Sequence, residues 1–176
     1  MKKFALLSAF VMLTTLLPAQ RRTIFSIGPE LSVSTDREIP TPGIGASIGM
    51  EVRSFHRISF TSEISYNQFS GDVIYKFRND TIQGFSKLPI VAGIKGRIWK
   101  GAYLVVRAGL AFGLKNAGTS LAFAPGAGWL LHRNDKPLLD LGVRWIGIPG
   151  MPSFPENSVL NKGGYSYLNF RVAYVF

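Results

Sequence analysis

Residues 165–176 read YSYLNFRVAYVF, and their alternation runs unbroken through the last residue. Leu168, Phe170, Val172, Tyr174 and Phe176 fall on one face, and Asn169, Arg171 and Ala173 on the other. Successive side chains of a strand point to opposite sides, so this strand is apolar on one side and polar on the other. Five apolar residues on one face, with no polar tail after them, suit a strand lying along a nonpolar solvent. In such a solvent every backbone N–H and C=O must be met internally, which leaves helices and closed barrels as the spanning forms.

The opposite end of the chain points to export. Lys2 and Lys3 precede an apolar run from Phe4 to Leu17, followed by Pro18, Ala19 and Gln20. That layout is a secretory signal, so residues 1–19 are expected to be removed and residues 20–176 to form one domain. No later stretch is long and apolar enough for a spanning helix. The absence of cysteine excludes a lipoprotein anchor and disulfide staples. The 20 basic and 10 acidic residues give a formal charge of +10; without Lys2 and Lys3 this becomes 18 − 10 = +8. These basic residues are spread along the chain rather than gathered in a stripe. Anionic lipid phosphates are therefore the expected partner, and nucleic acid is not.

Period-two alternation marks eight segments: 23–34, 43–53, 57–67, 85–99, 102–114, 121–132, 138–148 and 165–176. Most are near the ~9–11 residues with which a tilted strand crosses a bilayer. Connections at 54–56, 100–101 and 133–137 are short, while those at 35–42, 68–84, 115–120 and 149–164 are longer on average. Outer-membrane barrels have short periplasmic turns and longer extracellular loops. The predicted architecture is an all-β, eight-stranded antiparallel up-and-down transmembrane β-barrel with both termini in the periplasm.

A soluble barrel alternates equally well with its phase reversed, so the composition of the second face decides. In segment four Leu88, Ile90, Ala92, Ile94 and Ile98 oppose Val91, Gly93, Lys95 and Arg97. In segment five Leu104, Val106, Ala108, Leu110, Phe112 and Leu114 oppose Arg107, Gly109, Ala111 and Gly113. The second face is small residues with a few charges, not a water-facing carpet, and the lumen of an eight-stranded barrel admits little more. Projected inward, Glu30, Glu51, Glu63 and Asp140 meet Lys95, Arg97, Arg107, Arg144 and Arg171. Desolvated charges must be paired, and the arginine fork suits carboxylates. This set is read as a plug of ion pairs; the alternative is a gated ion path or ligand pocket lined by the same charges.

Catalysis is not expected. His56 and His132 both lie beside short turns, and no metal-ligand spacing or phosphate-binding loop is present. No cofactor is implied. Trp99, Tyr103, Trp129 and Trp145 lie near strand ends and are expected to form a girdle at headgroup level. Pro125 interrupts segment six, where a proline removes a ladder donor and marks a bulge or edge. Loops 68–84 and 149–164 are the candidates for a surface or secretion partner.

The mature chain resembles the small outer-membrane β-barrel domain family of eight-stranded, OmpX/OmpA-like barrels, and within it the PorT-like branch of Bacteroidetes-type bacteria. The residues that carry the resemblance are SKLPIVAGIKGRI at Ser86–Ile98, LDLGVRW at Leu139–Trp145 and the closing YSYLNFRVAYVF. It implies the outer membrane of a Gram-negative bacterium, contact with lipopolysaccharide, and insertion by the barrel-assembly machinery. Phe170, Val172, Tyr174 and Phe176 would then be the assembly signal. The implied role is non-enzymatic, in envelope structure or surface interaction. The alternatives are a small-solute pore or transporter, an accessory subunit of a secretion machine and, last, a lipid-modifying enzyme.

Overall fold

The computed structural model describes residues 23–35, 41–54, 57–70, 85–114, 118–133, 136–150 and 164–176. The expected signal, residues 1–19, and most of loops 68–84 and 149–164 lie outside the described residues. Among the described residues nine strands form: β1 (Thr23–Ser34), β2 (Pro42–Arg53), β3 (Ile58–Phe69), β4 (Phe85–Trp99), β5 (Ala102–Gly113), β6 (Thr119–Phe123), β7 (Gly126–Arg133), β8 (Lys136–Ile148) and β9 (Tyr165–Val175). All pairings are antiparallel: β1 to β5 pair in sequence order, β5 pairs with both β6 and β7, both of these pair with β8, β8 pairs with β9, and β1 closes on β9 from Ser26↔Val175 to Ser34↔Tyr167.

β6 and β7 are the two halves of one wall position. β6 and β7 both lie between β5 and β8, separated by Ala124 and Pro125. Ala124 still exchanges backbone bonds with Arg107, 2.8 and 3.3 Å, so the wall is continuous on the β5 side. On the β8 side the Trp145 amide donates to the Pro125 carbonyl at 3.0 Å. Proline has no N–H to return to Trp145, which is what splits segment six. The eight-stranded barrel predicted from alternation is thus formed, with one strand broken.

Outward positions are apolar: Leu31, Ile44, Ile48, Val106 and Leu121 are all more than half exposed. In water so extensive an apolar band would be an aggregation surface; around a closed barrel it is a lipid-facing belt. Inward positions hold the small and polar residues. Gly128 shows why glycine is needed there, since a Cβ at that position would collide with the Tyr103 hydroxyl and the Leu141 carbonyl. The turn at Lys100 and Gly101 has positive φ at both residues, 24° and 108°, which matches the twist of a tight hairpin.

A candidate functional site in the lumen

Charged side chains fill the middle of the barrel because the inner face has no other solvent. Nearest the short-turn end, Glu51 of β2 accepts from Lys95 (3.0 Å) and Arg97 (2.8 Å) of β4 and from Ser59 (2.9 Å) of β3. Lys95 also reaches Asp140 of β8 at 3.5 Å and sits 3.8 Å from the Tyr103 ring centroid. Asp140 accepts the Tyr103 hydroxyl at 2.5 Å and Arg171 at 3.5 Å. Lys95 and Asp140 therefore join the Glu51 cluster to the next one.

The central cluster is built around Arg144. Its guanidinium forms ion pairs with both Glu30 and Glu63, and its Nε donates to Asn169 at 3.0 Å. Arg107 approaches Glu63 at 3.7 Å and donates to Thr61 at 3.0 Å. Arg171 lies 3.9 Å from Glu30 and 3.8 Å from Glu63, and donates to Ser47 and Ser26 at 2.7 and 2.8 Å. Asn169 donates to Glu30 and Ser32, each at 2.9 Å, and Asn67 donates to Glu30 at 3.3 Å. All nine residues of the expected ion-pair set are brought together. Five cations against four carboxylates leave 5 − 4 = +1.

Both ends of this lattice are covered by nonpolar groups. Towards the long connections, Phe69 stacks on Phe85, meets Tyr165 and Tyr167 edge-on, and the cluster packs against Val91, Ala122, Ile146 and Ile148. Towards the short turns Tyr103, Val105, Leu130 and Val175 pack with Ile24. The arrangement can neutralise charge and hold strand register, and every carboxylate in it is already engaged. Among the described residues no three His, Cys, Asp or Glu converge as for a metal ion.

One aromatic expectation needs correction. Trp99, Trp129 and Trp145 face outward and are 63%, 40% and 42% exposed, with Trp99 and Trp129 in edge contact at 6.2 Å near the short turns. Tyr103 is no part of a girdle: it is 5% exposed and points into the lumen. Nearness to a strand end places a ring at headgroup level only on the outer face, and Tyr103 shares the parity of Val105 and Arg107. The same parity would have found inward Asn67, Lys87, Tyr167 and Asn169, which a search for charge pairs alone passes over. Phe170, Val172, Tyr174 and Phe176 all face outward.

The class defined by this geometry is a small transmembrane β-barrel of the outer-membrane type. The solved structures similar to it agree. The attachment invasion locus protein Ail of Yersinia pestis, crystallised with the heparin analogue sucrose octasulfate, superposes with a TM-score of 0.56 at 14% identity over 89% of this chain and 99% of that one. Ail in a phospholipid bilayer nanodisc gives 0.56 at 13% identity over 89% and 100%. A de novo designed transmembrane β-barrel gives 0.50 at 14% identity over 88% and 95%. These likenesses establish the fold. No family model and no curated protein sequence matches the chain.

Proposed function

We propose that the chain is a non-enzymatic integral protein of a Gram-negative outer membrane whose lumen is a structural plug and whose long connections carry surface interaction. The observation behind this reading is the lattice of Glu30, Glu63, Arg144 and Arg171, closed above by aromatic rings and below by Val105, Leu130 and Val175. A barrel filled in this way commits its interior to paired charges, which leaves its ends for partners. Short turns in the periplasm, a cleaved segment 1–19, lipopolysaccharide around the belt, and assembly through Phe170, Val172, Tyr174 and Phe176 complete the proposal. The PorT-like resemblance keeps a secretion-accessory role as the second reading.

Ail was crystallised with a sulfated heparin analogue, and the present chain without segment 1–19 carries a net formal charge of 18 − 10 = +8. Heparin is accordingly the probe of choice. Cells displaying the full chain should bind immobilised heparin, and deletion of 72–83 or 151–162 should lower that binding without altering the secreted proteins. Normal binding in both deletions, with secretion lost, would replace surface interaction by the secretion role.

A further inference from the structure

The wall between β6 and β8 is open where the rest of the barrel is laddered. β6 pairs with β5 from Ala108↔Phe123 to Phe112↔Thr119, yet with β8 it shares the single pair Phe123↔Gly147. β8 meanwhile continues to Ile148 against Tyr165 of β9. Pro125 has already removed one donor from this seam, and beyond Phe123 a bond from the Ser120 hydroxyl to the Pro149 carbonyl straps it. A crevice of about 310 Å³ occupies the gap. Phe123 and Trp145 line it from the outer face, whereas Ile148 and Tyr165 line it from the buried side. The crevice therefore runs from the lipid-facing surface inward, at the end of the barrel carrying the 149–164 connection.

Behind Tyr165 lies a cation without an acceptor. Lys87 is 1% exposed, and its Nζ has no hydrogen-bond partner. It rests 5.4 Å from the ring centroids of both Phe85 and Tyr165. The four lumenal carboxylates are held by other cations: Glu51 by Lys95 and Arg97, Asp140 by Lys95 and Arg171, and Glu30 and Glu63 by Arg144. The buried Tyr167 hydroxyl, in the same aromatic cluster, also has no partner. Buried ammonium groups are costly unless paired, and an orphan of this kind calls for an anion.

We propose that the β6–β8 crevice is a lateral binding site for a long-chain carboxylate, its chain between Phe123 and Trp145 and its head directed past Tyr165 to Lys87. One cation calls for a monoanion, and the Lys87 ammonium has donors to offer a carboxylate oxygen. A phosphate monoester brings more charge than one lysine neutralises. The volume lies at the low end of the ~300–1,000 Å³ of ligand pockets, which suits part of one acyl chain rather than a two-chain lipid.

The test uses the full chain in nonionic micelles with W99F and W129F, so that Trp145 is the sole tryptophan. Doxyl-stearate labelled near its head should quench Trp145 saturably at a concentration at least tenfold below that of its methyl ester. K87Q, checked for heat-modifiable migration, should bring acid and ester within twofold of each other. Equal quenching by acid and ester in the Lys87 protein overturns the proposal, as does a preference that survives K87Q. Competition by lysophosphatidate more effective than by stearate overturns the carboxylate assignment. Should K87Q not fold, the acid-to-ester ratio decides alone, since it needs no change at Lys87.

Discussion

Arg144 on β8 and Glu30 on β1 form an ion pair across β9, between residues 114 apart in sequence. Neither lies on a neighbouring strand of the other, so the contact crosses the lumen rather than running along a ladder. Glu63 on β3 takes the second arm of the same guanidinium. Removing one partner of a buried pair leaves an uncompensated charge and costs about 3–5 kcal/mol. R144M should accordingly lower the unfolding free energy in urea by that order. Adding E30Q should recover part of the loss, and a non-additive double-mutant cycle would measure the coupling.

Tyr103 is held by its hydroxyl rather than by a membrane interface. Bonds to charged acceptors contribute about 1.5–3 kcal/mol, so Y103F should destabilise the barrel by roughly that amount. W129F, on the outer face, should cost less. Unfolding midpoints in vesicles of fixed composition compare the two, and equal losses would argue that Tyr103 belongs to the belt after all.

Space inside the barrel is allocated residue by residue. G128A drives a Cβ into the Tyr103 hydroxyl and the Leu141 carbonyl, whereas a Cβ at Gly96, on the outer face with Ile94 and Ile98, meets nothing within 4 Å. Overpacking of this kind costs about 1–3 kcal/mol. G96A, by contrast, should stay within about 0.5 kcal/mol of the parent, as substitutions away from such features do. The same urea titration reads both.

The seam between the first and last strands can be probed from both sides. Phe25 and Phe176 exchange backbone bonds of 3.1 and 3.0 Å, and their rings stack at 6.2 Å. If the stack alone matters, F25S and F176S should reduce folded yield equally in vitro and in cells. The assembly role proposed for Phe176 predicts a larger loss for F176S in cells only, measured as heat-modifiable protein in the outer-membrane fraction.

Much of this was legible from period-two alternation, because face and parity are properties of a single strand. Segments 23–34 and 85–99 coincide with β1 and β4, and Pro125 marks the position where segment six divides. The nine charged residues read as inward are buried or half-buried in one network. What alternation does not carry is which inward residue meets which, since that depends on the stagger around the closed sheet. The Arg144 bridge to two carboxylates, the seat of Tyr103 on Asp140, and the approach of Lys87 on β4 to the Tyr165 ring on β9 are all contacts between strands that do not neighbour one another. Tyr103 differs for a simpler reason: it stands as near a turn as a girdle residue does, but its parity is that of lumenal Val105 and Arg107.

Single-channel recording in a planar bilayer tests most directly whether ion pairs and rings seal the lumen. Purified, heat-modifiable barrel inserted at low protein density should leave the membrane at its baseline current. Steady openings in the nanosiemens range, from the same preparation, would contradict a plugged lumen and make the chain a pore.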